Sequence, residues 1–469
     1  MEDEKVVRAL TDLGNSERFL EKHCNDVKFC KQLKKWFIYN QGLWVMDANS
    51  ILYEKAKITV RSIVSEAGLA DEELKKSIIE HAKKSESLSR IKAMIKLAEM
   101  APEIQIHLND LDANPMLLHC RNGVVDLLTG KLMPHDRKYL ITKTAGITHD
   151  EESACPLWLN FIKKIMNNDE EMVKYLQKIF GYALTASTVE QVIFLLVGMG
   201  CNGKSTLLER IRRVMGDYAK NSPAQSLLVS QSSNIRSDIA RLTGARLVTA
   251  VEIGDDKRLD EALVKQITGG DPVTSRFLYK DFFEHSPTYK IFIAANYNPD
   301  IRGIDHGIWR RIRVIPFSVI IPDSEIDKDF GQKLDDELSG ILKWCIEGCL
   351  LWKQEGLGLP EAVTEAIDNY RKTSDVIGQF LEDCFIINSE LQTSVKDLNL
   401  LYERWSKDNG QDPIKKRTIG LQMKIKGFIP SKSGSVRYWD GLGIKEPDKT
   451  DEKKEKIIES AVIDSPAIH

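Results

Sequence analysis

The stretch that most constrains this chain lies near its middle. An uninterrupted apolar run over 192–197 gives way to Gly198-Met199-Gly200-Cys201-Asn202-Gly203-Lys204-Ser205-Thr206, after which Leu207, Leu208 and Ile211 resume at helical spacing. That order predicts a buried strand, a glycine-rich loop and a helix. The loop fits G-x-x-x-x-G-K-[ST], in which backbone N–H groups wrap phosphates, the lysine reaches the outer phosphates and the next hydroxyl ligates magnesium. The helix adds the positive end of its dipole. Gly198, Gly200, Asn202, Gly203, Lys204, Ser205 and Thr206 are therefore expected to bind ATP, with Mg2+ on Ser205.

At 469 residues the chain is too long for one ordinary core, and about 150 residues per domain predicts roughly three. A hydrophobic content of 42% and a charged content of 29% describe a globular protein. With no apolar run long enough for a bilayer and an acidic start, neither a membrane span nor a signal peptide is expected. Its eight cysteines stand singly or, as Cys345 and Cys349, one helical turn apart, so neither a zinc site nor a disulfide frame is expected and a reducing cytoplasm is the default. A net charge of −3 neither demands nor excludes nucleic acid, because binding depends on where the positive charge is concentrated. There is no internal repeat.

The first hundred residues read as mostly helical. Trp36, Phe37, Tyr39 and Trp44 flank Asn40-Gln41-Gly42, which predicts a hairpin whose aromatic face is core rather than a stacking platform for bases. Residues 122–131 predict a second hairpin. Asp110 and Asp112 would share a metal-binding face only on a strand. Their neighbours, Asn109 and Ala113-Asn114-Pro115, have turn composition and predict a loop instead. Cys155-Pro156 opens a helical segment that runs to Tyr182 and delivers the chain to the central strand.

Beyond the loop helix, the stretch 242–252 reads as an apolar strand that ends in Glu252, where an acid beside a phosphate loop organises magnesium and the attacking water. A second acid would come from Asp255 or Asp256, or be absent. Lys265 opens the segment 265–271, and residues 275–283 after it interleave aromatic and basic side chains in an expected hairpin, so Lys265, Arg276, Tyr279 and Lys280 are candidate nucleic-acid contacts. Residues 290–295 predict a third buried strand ending at Asn296, placed to position water. Arg310 and Arg311 precede a further strand, and an arginine supplied across a subunit boundary stabilises transition-state charge.

Residues 334–356 and 362–384 read as helices with Trp344, Cys345, Cys349, Trp352 and Tyr370 as packing residues. Then come a helix over 395–406, a turn at Asp408-Asn409-Gly410, the basic run Lys415-Lys416-Arg417, a helix through Leu421 and Ile425, and a hairpin around Ser433-Gly434. This order predicts a winged-helix module in which Lys415, Lys416, Arg417 and Arg437 contact DNA phosphates. The mixed-charge tail over 447–469 is expected to be mobile.

The order of phosphate loop, strand-ending Glu252, Lys265 with Thr268-Gly269-Gly270-Asp271, Asn296-Tyr297-Asn298-Pro299 and Arg310-Arg311 resembles the superfamily 3 helicases, in the branch attached to phage, plasmid and poxvirus primases. Asn122-Gly123, Thr129-Gly130, Cys155-Pro156 and 181–184 match the segment preceding the motor there, and the resemblance runs from Trp36 to Gly443. It implies an α/β, AAA+-like P-loop NTPase core with a parallel sheet over 151–330, after a mixed N-terminal domain (1–150). A helical segment packed on the motor (331–390) and the winged-helix module (391–446) follow.

The resemblance also implies a homo-oligomeric ring, usually a hexamer, around single-stranded DNA, with ATP between subunits. Lys204 and Ser205 would bind phosphate and Mg2+, Glu252 would activate water, Asn296 would act as sensor, and Arg310 or Arg311 would reach the neighbouring ATP. The hairpin near Lys280 would enter the channel, with translocation 3′ to 5′. Two departures are the lone acid at Glu252 and the absence of polymerase-type motifs upstream, so priming would fall to a separate primase. The expected function is an ATP-dependent replicative DNA helicase of a phage, plasmid or mobile element in a bacterial cytoplasm, acting on single-stranded or forked DNA and without membrane contact. The rivals are a DNA-stimulated ATPase that loads or remodels other proteins, and an origin-binding protein that uses ATP only to assemble.

Overall fold

The structure, a computed structural model, describes residues 8–48, 50–229, 237–251, 257–276, 282–301, 303, 305–410 and 414–445. Its centre is a parallel sheet of five strands: β1 (Ile193–Val197), β2 (Ala219–Asn221), β3 (Leu247–Val251), β4 (Lys290–Ala295) and β5 (Ile312–Pro316), in the spatial order β5-β1-β4-β3-β2. The continuous apolar runs explain the parallel arrangement, since such strands are buried on both faces. Phe194, Leu195, Leu196, Phe292 and Ile293 are fully buried. Phe292 stacks on Phe194 and on Phe180, at 4.6 and 5.1 Å between centroids. Phe180 belongs to the helix Glu170–Leu184, which thereby covers the sheet.

That helix packs in turn on Leu338–Glu355. The two approach closely because Gly181 faces the backbone of Gly348 and Cys349, where a Cβ has no room. Cys345 and Cys349 are fully buried at this crossing, as expected of core residues.

Upstream, Val27–Cys30, Lys35–Asn40, Leu43–Met46 and Gln105–Ile106 form a four-stranded sheet closed by helices Asp12–His23, Ile51–Ser62 and Leu88–Ala98 around Phe19, Trp36, Ile38 and Met94. The hairpin turns on Gln41 and Gly42, both at positive φ (47° and 87°), the backbone that a tight two-residue hairpin loop requires. Trp36 and Trp44 are buried, so the aromatic face is core. The expected second hairpin is formed by Leu117–Cys120 and Gly123–Asp126, with Leu132–Met133 beside it. Asp112 lies in a turn at φ 54° and accepts from Thr142 N at 2.8 Å and Lys143 Nζ at 2.7 Å. Its carboxylate is used in fastening the loop that the sequence predicts.

Two cations are buried where the hairpin meets the sheet. Arg246, 3% exposed, donates to Leu184 O and Leu117 O, both at 2.7 Å, and lies 4.3 Å over the Tyr218 ring. Lys290, 2% exposed, donates to Thr185 O and lies over the Tyr182 ring. Both satisfy carbonyls at the end of Glu170–Leu184, where a helix leaves acceptors unpaired and cations are favoured. Arg246→Met should strand two buried carbonyls at about 1–3 kcal/mol each. A loss of about 3–5 kcal/mol is therefore expected in denaturant unfolding of the full chain.

His119, 2% exposed, stacks on His135 with centroids 4.5 Å apart, and its Nδ1 lies 2.9 Å from Thr144 Oγ1. Burial, and then the charge on His135, lowers its pKa from 6.5 to about 4. A lowered histidine favours the fold above the unfolded pKa and loses that contribution as pH falls toward the folded one. The melting temperature should therefore drop between about pH 6.5 and about pH 4, and less steeply for His119→Asn, in thermal scans at fixed ionic strength.

By internal contacts the chain divides into one unit spanning Met1–Pro299 and Arg311–Thr364 and a second made of Asp300–Arg310 and Glu365–His469. The second unit runs helix Val376–Cys384, strand Phe385–Ser394, helix Val395–Asp408, helix Lys416–Ile425 and strands Pro430–Ser433 and Val436–Ile444. Its last strand lies between the other two. Ile377, Phe380 and Phe385 share one core with Leu398, Tyr402, Trp405, Met423 and Trp439. Packing therefore begins upstream of the expected boundary at 391. The tail over 447–469 lies outside the described residues.

Candidate functional site

The loop after β1 is shaped by three of its own residues. Gly203 caps the helix Lys204–Met215 at φ 82°, and a Cβ there would come within 2.8 Å of Ile165 and 2.9 Å of Phe161. At Gly198 a Cβ would stand 2.7 Å from Asn202 Nδ2, whereas Gly200 faces open space, so no steric reason for glycine exists there. Asn202 is buried and donates to Met199 O, with Phe317 O at 3.5 Å.

Lys204 is 6% exposed; its Nζ donates to Gly198 O and, at 2.9 Å, to Asn202 Oδ1. Burial lowers its pKa. Ser205 is exposed and Thr206 half-buried in the first helical turn. An ammonium folded onto loop acceptors, beside the open N–H groups of a twelve-residue helix, suits the oxygens of a polyphosphate. The expected ATP-binding set fits such a ligand.

The parallel register brings other expected residues to the same edge of the sheet. Val197 pairs with Ala295, Ala294 with Val251, and Gly198 N donates to Ala295 O at 3.3 Å. Asn296, exposed, therefore follows directly beside the loop. Glu252 is the residue after β3 and lies outside the described residues, as do Asp255, Asp256, Tyr279 and Lys280. Among the described residues no group of three His, Cys, Asp or Glu could hold a metal ion.

Arg311 is elsewhere. Its carbonyl accepts from Ile193 N at 2.8 Å, which puts it at the amino edge of the sheet, a strand length of about 16 Å from the loop. Its guanidinium is buried and its Nε donates to Thr268 Oγ1 at 3.0 Å. Arg310, in the second unit, is exposed and donates its backbone N–H to His306 O. The expected hairpin exists as Val273–Arg276 paired with Phe282–His285, with Arg276 exposed and Lys265 half-buried on the preceding helix.

In the second unit Lys415, Lys416, Arg417 and Arg437 are exposed, and Lys416 pairs with Glu403 at 3.0 Å. Leu421 and Ile425, about 60% exposed, share the solvent face of that helix with Arg417 and Lys424. Sequence reasoning missed the Asn202–Phe317 and Arg311–Thr268 pairs and the Arg246 and Lys290 caps. A lysine and an arginine opening otherwise apolar strands were the available signal for the last two.

A glycine-rich loop at the carboxyl edge of a parallel α/β sheet defines the class, and comparison with known proteins narrows it. Residues 16–167 match a family model described as D5 N terminal like, and 196–311 match a family of unknown function, DUF5906. A protein of Acanthamoeba polyphaga mimivirus named "Putative helicase L207/L206" is 31% identical over 64% of this chain and 34% of its own length. Frog virus 3 (isolate Goorha) has a "Putative helicase 022R", 26% identical over 54% of this chain and 28% of its own. In African swine fever virus (isolate Tick/Malawi/Lil 20-1/1983) "Putative primase C962R" is 24% identical over 68% and 36%.

The chain thus spans about a third of the length of these curated relatives. An apo structure of the NrS-1 C-terminal region shares the fold, with a TM-score of 0.51 at 12% identity over 92% of this chain and all of that one. The chain is similar to viral proteins named as putative helicases and primases, and the resemblance to proteins of the primase-helicase type is borne out. No described helix is long and apolar enough to cross a membrane.

Proposed function

We propose that the chain is the ATP-driven motor of a replication helicase of the superfamily 3 type, built on an AAA+-like core and ring-forming, that moves along single-stranded DNA. The observation that carries this reading is the buried Lys204 ammonium, held on its own loop at the sheet edge where Asn296 stands. The strand order β5-β1-β4-β3-β2 supports it. The viral names of the relatives favour a viral replication system over a plasmid.

In this reading Lys204 and the first-turn N–H groups fix the phosphates, Ser205 and Glu252 hold the metal, and Asn296 orients water. Mg2+, when bound, neutralises charge on the phosphate oxygens. Arg310 serves the neighbouring subunit. Lys265, Arg276, Tyr279 and Lys280 grip the DNA backbone. The order of one strand, two helices and two further strands over 385–444 supports a winged-helix reading of the second unit, in which Lys415, Lys416, Arg417 and Arg437 give salt-sensitive affinity for DNA.

Strand separation on a forked DNA with ATP tests the reading. Hydrolysis without separation would leave a remodelling or loading ATPase, and absent hydrolysis, unaltered by Glu252→Gln, would leave an origin-binding protein.

A further inference from the structure

We propose that Arg311 is a positioning residue that couples the phosphate loop to the DNA hairpin of its own subunit, with β5 as the rigid link. The inference rests on the helicase reading above, and it separates Arg311 from Arg310, which the sequence presents as equivalent.

Both ends of β5 are clamped. At the carboxyl end, Phe317 N donates to Val197 O at 2.7 Å and Ile321 N to Cys201 O at 2.8 Å. Phe317 O faces Asn202 Nδ2 at 3.5 Å, and Asn202 Oδ1 accepts from Lys204 Nζ at 2.9 Å. The ammonium that meets the nucleotide is therefore one side chain removed from the residue that ends the strand. Lys204 has three donors and spends two on Gly198 O and Asn202 Oδ1; turning a second one to phosphate releases a loop acceptor, so nucleotide binding that engages two donors changes the partners of the loop.

At the amino end, Arg311 is tied to β1 through its carbonyl and to Thr268 through Nε, at 2.8 and 3.0 Å. The Thr268 hydroxyl donates to Val264 O at 2.6 Å, which leaves its lone pairs to accept from Arg311. Thr268 lies in the last turn of Glu261–Gly269. The cap of that helix, Gly270 at φ 83°, is followed by the first hairpin strand, Val273–Arg276. A strand bonded in register to β1 over Ile312–Pro316 transmits displacement rather than absorbing it. The buried bond to Thr268 then delivers that displacement to the base of the hairpin. An arginine engaged inside its own subunit, at the edge away from the loop, is suited to this task and not to reaching a neighbour.

The test uses the full chain and two matched substitutions. Thr268→Val keeps the shape and removes the acceptor, whereas Thr268→Ser keeps the hydroxyl. ATP hydrolysis is measured with and without single-stranded DNA. Thr268→Val and Arg311→Ala should each lower the DNA stimulation by about five-fold or more, with basal kcat and KM for ATP within about two-fold. The double variant should be no worse than either single, and Thr268→Ser should behave as the wild type.

Full stimulation in Thr268→Val, additive losses in the double variant, or equal losses in Thr268→Ser would overturn the coupling. So would recovery of Arg311→Ala hydrolysis on mixing with Lys204→Ala subunits, because that outcome makes Arg311 act in trans. A wild-type chain that hydrolyses ATP without responding to DNA would instead sink the helicase reading, and the coupling with it.

Discussion

Lys204→Ala is expected to abolish ATP hydrolysis and to reduce nucleotide binding below detection in fluorescence titration at micromolar nucleotide. The side chain is the one cation folded into the loop, and burial already lowers its pKa. That environment is costly for a charge without a fixed anion and favourable once phosphate oxygens are in place. Alanine removes the charge and leaves Asn202 Oδ1 and Gly198 O without their donor. The fold should survive, since Leu207, Leu208 and Ile211 bury the helix independently of the loop. A single cooperative melting transition, at most a few degrees lower for the lost loop bonds, with absent binding is therefore the expected pair of results. ATP affinity like that of the wild type would refute the assignment of the loop.

Arg310→Ala is expected to bind ATP normally and to lose hydrolysis by about three orders of magnitude, the range set by removal of an arginine supplied to a transition state. The Arg310 side chain is exposed, whereas that of Arg311 is buried. Mixing provides the decisive measurement. Lys204→Ala subunits lack the loop lysine and Arg310→Ala subunits lack the arginine, yet the proposed ring, when mixed, would contain some interfaces with both intact. Hydrolysis should rise above that of either pure variant and pass through a maximum as the ratio is varied. A flat mixing curve would place the arginine in its own subunit.

Much of the site was legible in the sequence because its signals are local. The run over 192–197, the left-handed Gly203 and the resumed helical period after Lys204 are successive residues, and each has one structural meaning. The same holds for Asn296, which only had to follow an apolar strand, and for Asp112, whose turn neighbours already argued for a loop. Roles that depend on distant partners were not legible. Arg246 and Lys290 find their carbonyls 62, 129 and 105 residues away, at positions with no distinguishing side chain. Arg310 and Arg311 are adjacent, and only the tertiary packing turns one outward and the other onto Thr268. In the second unit the basic run was plain, but the exposed Leu421 and Ile425 between its charges emerge only once the helix face is known.

The hairpin Leu117–Cys120/Gly123–Asp126 and the sheet are joined by bonds that cross residue 150 in both directions. His119 N donates to Tyr218 Oη at 3.2 Å, Asp217 N to Thr144 O at 2.9 Å and Ala186 N to Pro115 O at 2.9 Å, with Arg246 on Leu117 O beside them. Inheritance is constrained by that seam. A recombination event with its crossover near residue 150 would pair a motor with a foreign front half and leave unmatched donors and acceptors along the seam, among them the buried Arg246. An exchange that moves both halves together leaves the seam intact, so the two are expected to travel as a single heritable piece.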